Sequence, residues 1–184
     1  MIEMPNMLMI SGNARNIGKT TLACAVIKQV CSSHEIWGLK VTSIRPGEDK
    51  YHGSHASMLQ KGFVIVEETD ADIPKDTARM LKAGAGRSFY MQTADTDIAE
   101  AADYLKTYLP HNVAVVCESR SLRKVIKPGI FVFLQTESNN LHLKTDTEII
   151  ALANVVHNCN PGMQSILDMA QGLRFHDNRW IINN

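Results

Sequence analysis

The chain has 184 residues with 19 basic and 19 acidic side chains, so its formal net charge is zero, and 45% of its residues are hydrophobic. That length suits one domain with a sizeable core, and the charge balance leaves no basic surplus for nucleic acid or an anionic membrane surface. The opening Met1-Ile2-Glu3-Met4-Pro5 has neither a basic stretch nor a long apolar run, and apolar runs such as Ile130-Phe131-Val132-Phe133-Leu134 are strand-length. Neither a signal peptide nor a membrane span is therefore expected, and the expected location is the cytoplasm.

The first apolar run, near residues 7–11, reads as a strand, and the spacing of Leu22 to Ile27 reads as a helix over 19–31. Between them stands Ser11-Gly12-Asn13-Ala14-Arg15-Asn16-Ile17-Gly18-Lys19-Thr20-Thr21. A strand feeding a Gly-rich turn, with Lys-Thr at a helix start, is how proteins hold a triphosphate tail. Free N–H groups of the turn and of the helix N-terminus point at the anion, and the helix dipole favours its charge. Gly12, Asn13, Ala14, Arg15, Asn16, Ile17, Gly18, Lys19, Thr20 and Thr21 are thus the candidate binding residues. Lys19 would reach the β- and γ-phosphates as a catalytic cation, and the Thr20 hydroxyl would complete the coordination of Mg²⁺. Asn13 stands where the strict pattern has its first glycine, a place Asn tolerates because it enters the left-handed region more readily than most residues. Arg15 either touches phosphate, reaches across a dimer as an arginine finger does, or faces solvent.

A second strand near 36–41 carries Lys40 at its carboxyl end, either beside phosphate oxygens or an anionic substrate, or solvated. Residues 45–61 form a polar loop long enough to suggest function or mobility, in which His52 and His55 lack the spacing of a metal site. A strand is expected near 63–66, then a helix over 76–83 opened by Asp76 and Thr77 and ended by Gly84. Next come a strand near 87–91 and a helix over 96–108, capped by Asp95-Thr96-Asp97 and closed by Pro110. The wholly apolar strand near 112–117 ends in Glu118, a carboxylate placed to hold Mg²⁺, directly or through water, or to position an attacking water. Its alternative role is as a surface or capping glutamate. Strands near 130–134 and 153–157 and helices over 146–151 and 162–172 complete the chain.

Leu143-Lys144-Thr145-Asp146 imitates the box that reads guanine, although Asp146 also suits a helix cap, and Asn158 is a rival base reader. GTP and ATP both remain open as the bound nucleotide. Cys24, Cys31, Cys117 and Cys159 form no Cys-x-x-Cys pair, which points to buried, reduced thiols. The alternation of strands and helices, with several strands apolar on both faces, predicts an α/β fold of the P-loop NTPase class over residues 1–184. Its sheet would be mostly parallel and doubly wound, with helices on both faces in three layers.

The segment Lys75-Asp76-Thr77…Ala83-Gly84-Ala85 resembles the Lys-Asp-Ser…Ala-Gly-Ala signature of the molybdopterin-guanine dinucleotide biosynthesis protein B family. Gly18 to Leu22, Lys40 and Glu118 match that family's loop, second-strand lysine and Glu-Gly pair in order and spacing, with Ser119 in place of the glycine. Where the family has histidines after that lysine, this chain has Thr42-Ser43-Ile44-Arg45. The resemblance implies a small, dimeric GTP-binding protein, slow as a GTPase, that supports a nucleotidyltransferase of molybdopterin metabolism. The loop from Gly12 to Thr20, with Lys40-Val41-Thr42, is also similar to that of dethiobiotin synthetase and the cobyric-acid amide synthases. That resemblance implies an ATP-dependent ligase activating a carboxylate or carbamate, but the family's Glu-Gly-Ala-Gly-Gly run is replaced by Glu118-Ser119-Arg120-Ser121. A degenerate loop serving as a scaffold is the third reading.

Overall fold

The computed structural model describes residues 1–44, 62–137, 147–159 and 163–183. The expectations for the 45–61 loop, His52, His55 and Asp146 lie outside the described residues.

Seven strands form one sheet in the order β3-β4-β2-β5-β1-β6-β7. They are β1 (Ile2–Gly12), β2 (Ile36–Ile44), β3 (Phe63–Glu68), β4 (Arg87–Ala94), β5 (Ala114–Glu118), β6 (Ile126–Gln135) and β7 (Val155–Asn158). The sheet is parallel except for β3, which pairs antiparallel to β4 at one edge. The sheet is thus mostly parallel, as the sequence predicts. The centre is apolar on both faces: Met7, Leu8, Met9, Ile10, Val115, Val116, Phe131, Val132, Phe133 and Leu134 are fully buried.

Alternation along each strand divides these residues between two cores. Leu8, Ile10, Val116 and Val132 pack with Leu22, Ala23, Val26 and Ile27 of α1 (Lys19–Val30), Met80 of α2 (Asp76–Lys82), and Ile166 and Ala170 of α5 (Met163–Gly172). Met7, Met9, Leu39, Phe89, Phe131 and Phe133 pack with Ile98, Ala101, Ala102 and Leu105 of α3 (Ile98–Tyr108) and Ile149 of α4 (Thr147–Ile150). Each buried Leu, Ile, Val, Met or Phe side chain contributes about 1.5–3 kcal/mol of transfer free energy, so the two-sided burial of β1 holds the three layers together.

Several local expectations need correction. Asp97 makes no cap bond to α3; its carboxylate accepts instead from the Gly62 backbone N–H at 2.9 Å, tying the start of β3 to the helix. Only Cys117 of the four thiols is buried; Cys24 and Cys159 are half-buried and Cys31 is exposed where α1 ends, and none is in a disulfide. Residues after 172, to which the sequence reading assigned no element, form the hairpin β8 (Leu173–His176) and β9 (Arg179–Ile182). Its turn residues Asp177 and Asn178 have φ of 49° and 56°, the left-handed pair that matches hairpin twist. Trp180 is buried there and donates from Nε1 to the Asn6 carbonyl at 2.9 Å, which fastens the hairpin to β1. Among the described residues no helix is long and apolar enough to cross a membrane.

Candidate functional site

The turn between β1 and α1 is built by a few apolar anchors and two special backbone positions. Ala14 and Ile17 are buried in the core beneath α1, whereas Arg15 and Asn16 are exposed at the tip. A Cβ at Gly12 would lie 2.5 Å from Ile17 Cδ1 and 2.6 Å from the Leu134 carbonyl oxygen, so only glycine lets β6 and the loop approach this closely. Gly18 has φ 95° and Asn16 has φ 57°, so the left-handed positions are these two and not Asn13. Asn13 has a different task. Its Nδ2 donates to the Thr136 carbonyl at 2.8 Å and its Oδ1 accepts from the Thr136 N–H at 3.0 Å, which clamps the loop to the end of β6.

The loop has not closed on itself. Asn13 N–H donates to Leu134 at 3.1 Å, but the N–H groups of Ala14, Arg15, Asn16, Ile17 and Gly18 donate to no acceptor among the described residues. Gly18 caps α1 without a side-chain bond, and the Thr20 and Thr21 N–H groups of the first helical turn donate to no acceptor among the described residues. Open amides in a left-handed turn at a helix N-terminus make an anion-binding concavity. The Lys19 ammonium donates to the Ala14 carbonyl at 2.5 Å, which holds it over the same loop.

Strand order then brings distant residues to that loop. β5 lies between β1 and β2, and its Glu118 is paired with Ile10 on one side and Lys40 on the other. Glu118 is 4% exposed, and its Oε1 has no hydrogen-bond partner among the described residues. Burial pushes its carboxyl above the usual range; Lys40, the Thr20 hydroxyl and Lys19 pull it back, and Asp76 adds to the rise. Lys40 is ion-paired with Asp76 Oδ2, and the Thr20 hydroxyl donates to Asp76 Oδ1 at 3.1 Å. Arg79, one turn along α2, lies 3.6 Å from the same carboxylate. Burial raises the Asp76 carboxyl, but the Lys40 bond and charge, Thr20 and Arg79 together bring it below its usual value.

Asp76 is the site residue that sequence reasoning missed. Its signal lies in the Lys75-Asp76-Thr77 segment, which reads as the opening of α2 and as part of the family signature. Thr21 is half-buried on the first turn of α1. Asn158 ends β7 away from the carboxylates and lines a small pocket with Gln135, Thr136 and Glu137, next to the Asn13 clamp. The structure therefore brings together residues 12–20, Lys40, Glu118 and Asp76, and leaves Arg15 outside.

No family model, curated protein or solved structure matches this chain. Among the described residues no group of three or more His, Cys, Asp or Glu side chains is placed to hold a metal. A cation here would instead rest on Thr20, Glu118 and Asp76, with the remaining positions filled by ligand oxygens and water, which is the coordination Mg²⁺ favours beside a phosphate. The unsatisfied Glu118 Oε1 fits that role, because a buried carboxylate oxygen with no donor is offset by a cation.

Proposed function

We propose that this protein binds a nucleoside triphosphate with Mg²⁺ in the loop 12–21, and that it is a P-loop protein hydrolysing the nucleotide slowly. The observation that carries this reading is the set of open amides at residues 14–18, followed directly by Lys19 and Thr20 with the unpartnered Glu118 oxygen nearby. The amides and Lys19 would hold the β- and γ-phosphates, and Thr20, Glu118 and Asp76 would hold the metal. The metal would neutralise charge on the transferred group; phosphoryl transfer asks little more of a protein than this and positioning. GTP is favoured over ATP because the pocket at the ends of β6 and β7 pairs the Glu137 carboxylate with Asn158, and a carboxylate accepts from the guanine N1–H and amino group. With the Lys75–Ala85 segment, this supports an accessory role beside a nucleotidyltransferase of molybdopterin-guanine dinucleotide assembly, acting as a dimer. A ligase of the dethiobiotin synthetase type is the second reading, favoured by a strand-end lysine fixed by Asp76 at the same site.

Calorimetric titration of GTP and ATP with Mg²⁺ tests the proposal. Lys19→Ala is expected to weaken triphosphate binding by at least about 2 kcal/mol, the scale of a buried charge-assisted contact. Equal affinity in the parent and the variant would refute it. A burst of ADP that depends on an added carboxylate would move the assignment to the ligase.

A further inference from the structure

Asn13 stands where the strict phosphate-loop pattern has glycine, yet its backbone does not ask for one, since the positive φ values nearby belong to Asn16 and Gly18. Its side chain therefore has a task separate from the bend of the loop. The β1–β6 ladder ends where Gly12 pairs with Leu134, and the β6–β7 ladder ends where Gln135 pairs with Asn158. The Cys159 N–H adds one more bond, to the Gln135 carbonyl at 2.7 Å. Thr136 lies past both ladders, and there the Asn13 carboxamide takes over. It donates to the Thr136 carbonyl at 2.8 Å and accepts from the Thr136 N–H at 3.0 Å. A carboxamide has the donor and acceptor of a peptide group, so this pair continues the sheet with a side chain after the β1 backbone has turned away into the loop. Asn13 is buried, and water competes little for either bond.

Thr136 also lines the pocket at the ends of β6 and β7, with Gln135, Glu137 and Asn158. One residue of the phosphate loop is thus bonded, through both polar groups of its side chain, to the residue that immediately precedes Glu137. Two bonds to a single residue fix orientation as well as distance. We propose that Asn13 is a positioning residue for base selectivity: it holds Thr136 and Glu137 in register with the phosphate loop, so that the Glu137 carboxylate meets the N–H edge of a guanine-type base whose triphosphate is seated in the loop. A ligand gripped at two places by one rigid frame makes the second contact at high effective concentration, and that advantage goes when the frame loosens. Adenine turns the N1 lone pair toward a carboxylate where guanine presents N1–H, so it gains little from the register and loses little without it. The inference rests on the nucleotide reading above and adds to it the residue that ties base choice to the phosphate loop.

The Mg²⁺ complexes of GTP, ATP and inorganic tripolyphosphate are titrated calorimetrically into the whole chain and into Asn13→Gly, Glu137→Gln and the double variant. Glycine at this place restores the strict motif and removes the clamp. The parent is expected to prefer GTP. Asn13→Gly should lose about tenfold in GTP affinity and about threefold or less for ATP and tripolyphosphate, so the ratio of GTP to ATP affinity falls. A clamp that only stiffened the loop would weaken all three ligands alike, and that result overturns the inference. Glu137→Gln should lower the same ratio, and adding Asn13→Gly should lower it no further, because the two side chains act through one contact. A further fall as large as that in the parent background overturns the inference as well. Should Asn13→Gly not fold, Asn13→Asp takes its place; it keeps the size and the bond from the Thr136 N–H but cannot donate to the carbonyl, and an unchanged ratio in that variant overturns the inference. Triphosphate binding with no preference for GTP refutes the base selectivity alone, whereas failure of every triphosphate to bind the parent refutes the nucleotide reading itself.

Discussion

Glu118→Gln is expected to make the nucleotide-free protein more stable while weakening its response to Mg²⁺ and nucleotide. The glutamate is 4% exposed and one carboxylate oxygen has no donor. Leaving a buried polar group unsatisfied costs about 1–3 kcal/mol, and most of that penalty falls on the charged form. Burial raises the folded-state pKa of Glu118 above its ordinary 4.5 despite Lys40, Thr20 and Lys19. Between the unfolded and folded values the native protein binds more protons than the unfolded chain, so stability falls as pH rises through that window. Well below pH 4.5, where the carboxyl is neutral in both states, the charge penalty is absent and parent and variant should differ less. At pH 8 the amide removes the buried charge though not the buried polar atoms, and a gain of about 1 kcal/mol corresponds to roughly 2–4 °C in Tm for a chain of this size. The order reverses with ligand. Mg²⁺-triphosphate at a hundred times Kd should stabilise the parent by about 2.7 kcal/mol, and the variant by much less, since its amide is a poor ligand for Mg²⁺. Thermal unfolding from pH 4 to 8, with and without Mg²⁺-GTP, reads both effects. A Glu118→Gln variant less stable than the parent at pH 8 without ligand would refute the argument that this carboxylate is an uncompensated buried charge. Equal stabilisation of both proteins by Mg²⁺-GTP would remove Glu118 from the metal site.

Two further outcomes follow from the clamp and from the second carboxylate. Asn13→Ala deletes both bonds to the Thr136 backbone and is expected to lower stability by about 1–3 kcal/mol in urea denaturation; because it frees the loop, triphosphate affinity should fall about tenfold. Asp76→Asn removes the partner of Lys40. Asp76 has a folded-state pKa below its ordinary 3.8, so its stabilisation is present above that value and is lost as pH falls through the folded value. The variant should therefore be less stable at pH 7 by about 1 kcal/mol or less, the scale of a partly exposed ion pair. The deficit should shrink as pH falls below 3.8 and the parent's carboxylate takes up its proton, which urea denaturation at falling pH measures.

The elements of this protein were legible because their signals are short-range. Apolar runs of strand length, the helical spacing of Leu22 to Ile27, and Gly18-Lys19-Thr20 at a helix start each depend on residues within about two turns of one another. Lys40 and Glu118 stood out for the same reason, as charges closing apolar strands. The hairpin turn at Asp177-Asn178 is equally local, resting on two adjacent left-handed residues. Other features depended on long-range packing. The placement of β5 between β1 and β2, which sets Glu118 against Lys40, follows from how the whole sheet buries its two faces. Asn13 meets a partner 123 residues away, and Asp76 turns from a helix opener into the partner of Lys40 and Thr20, residues 36 and 56 positions away. Hydrogen bonds within a helix or turn are fixed by near neighbours, whereas contacts between strand ends are set by the order in which strands assemble. The local sequence thus determined the strands, the helices and the glycine-bearing loop between β1 and α1. Tertiary packing alone decided which carboxylates and cations would face that loop.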